Sequence, residues 1–150
     1  MSRDRDVRNA VQAALIATGA FDAVWIWGLP EDYGTGASNM AAAALEADET
    51  TENDPWDSQP TGGLVMTSVM TITLLYRAED PQLRDEAAEF LIDTTCNALN
   101  GQSLAGFTIP AWTRVRRWKW EKAAAPERRI TARLEYQYIV EGWDSFDTTE

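Results

Sequence analysis

The spacing of hydrophobic positions predicts two amphipathic helices. Apolar residues recur every three or four positions from residue 3 to residue 18, and Gly19 can end this first helix. The charged residues of its first turns are expected to face solvent. The second helix has Asp80 as N-cap and Pro81 as first residue, and it runs to Gly101. The apolar stripe predicted for its buried face is Leu83, Ala87, Phe90, Leu91, Thr94 and Ala98.

Four other segments carry the pattern of strands, at residues 21–27, 64–76, 112–121 and 130–141. Large apolar residues and threonines alternate along 64–76, which predicts a strand with one buried face. The last two segments suggest a hairpin, and only Ile139 interrupts the alternation of apolar and polar residues in the second of them.

The segment between the first two strands differs from the rest of the chain. Residues 28–63 contain eight acidic and no basic residues, a local charge of −8, and both ends are rich in loop-forming residues. Residues 40–45 (MAAAAL) suit a short helix by propensity, or an edge strand if tertiary pairing overrides propensity. We expect a long acidic loop, and a connection of this length in a small domain is usually functional or disordered when free.

These elements predict a single α+β domain over residues 1–150. Each helix and the sheet must bury one apolar side, so the simplest arrangement places both helices on one face of about four mostly antiparallel strands. The long acidic loop joins the first strand to the second, and residues 144–150 form a short acidic tail.

The composition argues against catalysis. The chain has no histidine and one cysteine, Cys96, which excludes an internal disulfide and a multi-cysteine zinc site. The acidic segment lacks the residue order of an EF-hand calcium loop, and no phosphate-binding glycine motif is present. We expect no enzyme activity, no cofactor and no bound metal, and we expect the Cys96 thiol to be buried and unreactive.

Charge and hydropathy also restrict the partners and the location. The net charge of −11 opposes non-specific binding of nucleic acid or anionic lipid over the whole surface. No run approaches the ~18 apolar residues of a membrane span, and residues 1–9 lack the apolar core of a signal peptide. The sequence therefore predicts a cytosolic protein.

The basic residues are concentrated in the predicted hairpin, where positions 114–133 hold eight basic and two acidic residues, a local charge of +6. Regular alternation would place Arg114, Arg116, Trp118 and Trp120 on one face and Val115, Arg117 and Lys119 on the other. Such a surface could bind nucleic acid through cations and stacked rings. Alternatively, the long cations simply cover the tryptophan rings of two exposed strands.

The acidic segment and the basic hairpin could also neutralise each other. Contact within one subunit would mask both charges, whereas contact between neighbouring subunits would be head-to-tail and could close a ring. The residues predicted at subunit or partner contacts are Arg114, Arg116, Arg117, Trp118, Lys119 and Trp120 of the hairpin and Glu46, Asp48, Glu49, Glu52 and Asp54 of the acidic segment.

Several local strings, together with the order of elements, resemble the tail terminator or tail-completion proteins of long-tailed bacteriophages and prophages. The strings are Leu74-Leu75-Tyr76-Arg77, Asp80-Pro81-x-x-Arg84-Asp85, Ala98-Leu99-Asn100-Gly101 and Glu141-Gly142-Trp143. The resemblance spans most of the chain.

The resemblance implies a structural protein that forms a ring, commonly a hexamer, on the head-proximal end of a tail tube. The ring would end tube polymerisation, bind the tail tube protein and a head-side neck or connector protein, and let DNA pass through its lumen without sequence readout. It would be assembled in the bacterial cytoplasm and reside in the virion tail or neck. Two alternatives stay open: a head-side neck or connector subunit, and a small nucleic-acid-binding module that uses the Arg/Trp hairpin.

Overall fold

The structure, a computed structural model, describes residues 3–30, 40–52, 63–121 and 126–141, without the side chains of 49–52, 63–64 and 140–141. Within these ranges two helices accompany a five-stranded sheet. The helices are α1 (Arg3–Ala17) and α2 (Pro81–Leu99), and the strands are β1 (Ala23–Trp25), β2 (Met40–Glu52), β3 (Gly63–Arg77), β4 (Arg114–Glu121) and β5 (Glu127–Glu141). The predicted tail at 144–150 and the tip of the hairpin lie outside the described residues.

The sheet has the strand order β1-β2-β3-β5-β4. β1 runs parallel to β2, and all other neighbours are antiparallel. The predicted combination of two helices with a mostly antiparallel sheet is confirmed, as is the β4–β5 hairpin. The number of strands is five instead of about four, because much of the predicted acidic loop is a strand.

β2 is the element that the sequence left undecided. Its alanines favour a helix by propensity, but the strand lies between β1 and β3, where Ala43 is paired with Val24 on one side and Leu74 on the other. Backbone hydrogen bonds to two neighbours outweigh a helix propensity worth only tenths of a kcal/mol per residue, about 0–0.7. The prediction of an edge strand is wrong for the first half of β2, because β1 covers it.

Both helices pack on one face of the sheet, as predicted. α1 buries Val7, Val11 and Leu15 against strand residues such as Ile72 and Leu134. We call this side of the sheet the helix face. On the opposite face, Met40, Ala42 and Leu75 form a small second cluster.

The predicted buried stripe of α2 is wrong in its orientation. Leu91 is the one predicted stripe residue that is buried, whereas Leu83 is 43% and Phe90 60% exposed. Sequence spacing admitted two stripes displaced by about one position, and contact with the sheet selects the one that contains Ile92 and Leu99. The residues that α2 buries are Ala88, Leu91, Ile92, Thr95 and Leu99.

The ends of the helices follow the predicted signals. The Asp80 side chain accepts a hydrogen bond of 3.0 Å from the Gln82 backbone N–H, which satisfies a donor that the first turn leaves unpaired. Gly19 has a φ of +73°, a left-handed conformation suited to the end of α1. After α2, Asn100 Oδ1 accepts a 2.6 Å hydrogen bond from the Val115 N–H, which ties the helix end to the start of β4.

Candidate subunit interface

A β-bulge at Arg117 decides which way the side chains of β4 point. Arg116 pairs with Arg133 and Trp118 pairs with Ala132, so Arg117 is an extra residue, and its φ is +45°. Paired residues of antiparallel strands project from the same face. Since Ala132 belongs to the core, Trp118 lies on the helix face.

The bulge overturns the predicted division of the hairpin into two faces. Trp120 pairs with the buried Ile130 and therefore also lies on the helix face, together with Val115. Arg114 and Arg116 pair with Glu135 and Arg133 and lie on the opposite face. The prediction that Arg114, Arg116, Trp118 and Trp120 share one face is wrong, because it assumed regular alternation.

Most cations of the hairpin have carboxylate partners on their own subunit. Lys119 Nζ lies 3.4 Å from Glu121 Oε1, and Arg116 Nε lies 3.8 Å from Glu135 Oε2. Exposed pairs of this kind contribute about 0–1 kcal/mol each. Arg114 and Arg117 have no carboxylate partner among the described residues, so their charges remain available to a partner.

Among the described residues, the acidic segment and the basic hairpin are in contact within the subunit at Asp48. Asp48 Oδ2 accepts hydrogen bonds from Arg133 Nη2 at 3.2 Å and from Thr71 Oγ1 at 3.3 Å. All three side chains are at least partly exposed on the face opposite the helices. Intramolecular neutralisation, one of the two sequence-based alternatives, is therefore present at Asp48.

The other predicted acidic interface residues fall in different places. The Glu46 carboxylate lies against Gly28, next to the end of β1. Glu49 and Glu52 belong to the second half of β2, of which the structure describes the backbone. Asp54 lies outside the described residues.

The tryptophans of β4 are exposed on the helix face beyond the cover of α2. Trp118 is 52% and Trp120 40% exposed. The Arg128 guanidinium lies over the Trp120 ring, 4.3 Å from its centre, and Arg128 Nε is 3.2 Å from Asp85 Oδ1 of α2. The expectation that cations cover these rings is thus met at Trp120, but by a residue of the neighbouring strand.

A buried polar cluster beneath α1 was missed by the sequence analysis. Asp4 Oδ1 accepts hydrogen bonds from the hydroxyls of Tyr136 at 2.6 Å and Ser68 at 3.0 Å. Burial, and then the nearby Asp4 carboxylate, raise the pKa of Tyr136 far above its usual value. The expectation that the first charged turn of α1 faces solvent is wrong at Asp4. Ser68, a polar residue on the apolar side of its strand, was the sequence signal that a polar partner lies there.

Few features of the described residues suggest chemistry. Burial, with a contribution from Asp93, raises the pKa of the half-buried Cys96 thiol, which disfavours the reactive thiolate. In the described ranges no three His, Cys, Asp or Glu side chains gather closely enough to hold a metal ion. Neither described helix is long and apolar enough to cross a membrane.

The two lateral edges of the sheet carry opposite charge. On one side, β1 pairs with β2 as far as Ala44, and Gly28 N–H donates to Leu45 O at 3.2 Å. In the described structure no strand borders β2 beyond this point, where residues 46–52 carry four acidic and no basic residues.

The opposite edge is formed by β4. Its first residues are covered, because Val115 N–H donates to Asn100 and Gly101 N–H donates to Thr113 O at 2.8 Å. From Arg116 to Glu121 no described strand borders β4 on its outer side, and this stretch carries three basic residues and one acidic residue. We call residues 46–52 the acidic edge and residues 116–121 the basic edge.

Comparisons with known proteins bear on the fold. No protein-family model matches the sequence, and no curated protein matches it. The structure is similar to a chain of the solved structure "Virion of native gene transfer agent (GTA) particle", with a TM-score of 0.52 and 19% sequence identity. The match covers 94% of this chain and 96% of that chain, so the two share their fold over nearly their whole lengths.

Proposed function

We propose that this chain is a structural protein of a phage-like virion, and more specifically a tail terminator that forms a ring on the head-proximal end of a tail tube. The observation that carries the proposal is the shared fold with a chain of a virion particle, over 94% of one chain and 96% of the other. The strings that resemble tail terminator proteins point in the same direction.

The proposed mechanism is recognition by shape and charge, without bond chemistry. One face of the ring binds the last layer of tube subunits. The other face has no site to which a further tube subunit can add, so tube growth stops. This second face binds the head-side neck or connector protein instead. The net charge of −11 is compatible with a lumen that repels phosphate and lets DNA pass without sequence readout.

The test is a polymerisation assay with a tail tube protein encoded in the same genome. We expect the purified chain to bind one end of each tube and to limit tube length, visible by negative-stain electron microscopy. A chain that remains monomeric at high concentration and neither binds tubes nor changes their length would contradict the proposal. Binding to the connector protein without binding to tubes would instead support the head-side neck alternative, which the same fold likeness supports equally.

The nucleic-acid-binding alternative has less support from the geometry. Trp118 and Trp120 lie on the helix face, whereas Arg114 and Arg116 lie on the other, so these two rings and these two cations do not form one surface. Binding that weakens steeply with salt and is lost on Arg114→Ala with Arg116→Ala would revive it.

A further inference from the structure

We propose that neighbouring copies of this chain join by adding the basic edge of one copy to the acidic edge of the next, so that the sheet continues across subunits. The inference rests on the proposed function, since it names the contact through which the ring closes. It starts from two stretches of strand, 46–52 and 116–121, that no described strand borders on their outer sides.

The directions of the strands suit this contact. β2 is antiparallel to β3, β3 to β5, and β5 to β4, so β2 and β4 of one copy run in opposite directions. The pairing registers place residues 46–52 level with residues 133–138 of β5, and residues 116–121 level with residues 129–133. A neighbouring copy must therefore also be shifted along the strands by about five or six residues, roughly 18 Å. A ring axis inclined to the strands provides this shift and keeps the β2 of the second copy antiparallel to the β4 of the first. Each stretch contains a β-bulge, at Asp48 in β2 and at Arg117 in β4, so the regular part of the ladder joins residues 49–52 to residues 118–121 over about 13 Å.

Charge selects this pairing over the alternatives. The basic edge carries Arg116, Arg117 and Lys119 against Glu121, and the acidic edge carries four carboxylates and no cation. Two basic edges or two acidic edges would repel each other, which disfavours a symmetric dimer. A head-to-tail contact uses two different surfaces of each subunit, so repetition leads to a ring or a helical filament.

The exposed tryptophans lie where a neighbour would cover them. Trp118 and Trp120 project from the basic edge on the helix face and are 52% and 40% exposed. Tryptophan and arginine side chains that are exposed in a free subunit are often buried at the centre of a protein interface when the partner binds. A strand added to this edge would place its own helix-face side chains beside both rings.

The experiment uses two charge-reversal variants of the full chain. The first is Arg117→Glu with Lys119→Glu, which changes the charge of the basic edge from +2 to −2. The second is Glu49→Lys with Glu52→Lys, which changes the charge of the acidic edge from −4 to 0. We expect each variant alone to weaken self-association at least about tenfold, measured by sedimentation velocity. Mixed in equal amounts they regain part of the assembly, because the acidic edge of the first variant (−4) still matches the basic edge of the second (+2).

A matched control for the second variant has the same change of charge, +4, away from the edges. Glu79→Lys with Glu89→Lys alters two exposed positions in and just before α2 and is expected to assemble like the native chain. Circular dichroism verifies that each variant is folded. Amide hydrogen exchange supplies a second readout, since edge pairing slows exchange at backbone positions in 116–121 on assembly, whereas contact through side chains alone does not.

The outcomes separate this inference from the proposed function. Native assembly that survives either reversal, or a mixture that stays dissociated, would overturn the edge contact while leaving the tail-terminator proposal intact. Absence of assembly, both alone and on tube protein, would overturn the proposed function together with the contact. Rescue by mixing, with protection of the β4 amides, is the result expected.

Discussion

The Tyr136 hydroxyl donates a 2.6 Å hydrogen bond to Asp4 Oδ1, although the two residues are 132 positions apart in the sequence. The Ser68 hydroxyl donates to the same oxygen at 3.0 Å. Asp4 belongs to the first turn of α1, and its two donors belong to β5 and β3. One partly buried carboxylate oxygen thus fastens the start of α1 to two central strands.

Tyr136→Phe is expected to lower the free energy of unfolding by about 1–3 kcal/mol, because it removes a hydrogen bond to a partly buried carboxylate. Urea denaturation followed by circular dichroism measures the change. Tyr76→Phe is the matched control, since the half-buried Tyr76 hydroxyl has no hydrogen-bond partner among the described residues, and it should cost less than about 0.5 kcal/mol. Equal losses in both variants would contradict the role assigned to Asp4.

The same cluster predicts a loss of stability at alkaline pH. Burial, followed by the Asp4 carboxylate, raises the pKa of Tyr136, and burial likewise raises the pKa of Tyr138. Above about pH 10 the unfolded chain releases these protons while the folded chain retains them, so stability is retained below that pH and decreases above it. Each such tyrosine contributes a slope of up to about 1.4 kcal/mol per pH unit.

Urea unfolding of the native chain and Tyr136→Phe at a series of pH values tests this expectation. The variant should lose less stability than the native chain between about pH 10 and 11, because one of the two titrating hydroxyls is gone. Parallel pH profiles would show that Tyr136 does not retain its proton in the folded protein.

At Gly28 a side chain would be disfavoured both by the backbone conformation and by a close contact with Glu46. The φ of Gly28 is +93°, and a Cβ there would lie 2.6 Å from Glu46 Oε1. Gly101 has a φ of +73° with nothing within 4 Å of a Cβ. We expect Gly101→Ala to cost about 1–2 kcal/mol from backbone strain alone, and Gly28→Ala to cost more, because the Glu46 carboxylate must also move.

The difference between the two glycines can be assigned with one further variant. Glu46→Ala removes the obstructing carboxylate, so Gly28→Ala in that background should cost the same as Gly101→Ala in the native chain. Thermal and urea unfolding provide the comparison. A Gly28→Ala cost that persists without the Glu46 carboxylate would place the strain elsewhere.

Features with a local cause could be predicted from the sequence. Asp80 and Pro81 mark the start of α2 because capping and a fixed φ depend on neighbouring residues. The strand at 64–76 alternates clearly because one of its faces is buried and the other is polar. The hairpin followed from two adjacent strand patterns.

Features that depend on distant contacts could not be predicted. β2 contains a run of alanines whose strand conformation comes from pairing with β1 and β3, and no residue within the run signals it. The Asp48–Arg133 contact joins residues 85 positions apart and required the register of three strands. The bulge at Arg117 carries no glycine to mark it, so the two faces of β4 were assigned incorrectly.

The bulge itself gives the last prediction. Arg117 has a φ of +45°, a region that a β-branched side chain enters only with strain. Arg117→Val should therefore lower the free energy of unfolding by about 1–3 kcal/mol, whereas Arg117→Gly should change it by less than about 1 kcal/mol, because relief of strain offsets the added chain entropy.

Arg116→Val is the control for Arg117→Val, because Arg116 precedes the bulge and pairs regularly with Arg133. Its exposed ion pair with Glu135 contributes little to the free energy of unfolding. Urea denaturation of the three variants measures the costs, and near-ultraviolet circular dichroism reports the surroundings of Trp118 and Trp120. If valine is tolerated equally at 116 and 117, the backbone does not hold a left-handed residue at 117. The tryptophans would then not be fixed on the helix face, and the surface proposed to meet the acidic edge of a neighbour would lose its aromatic part.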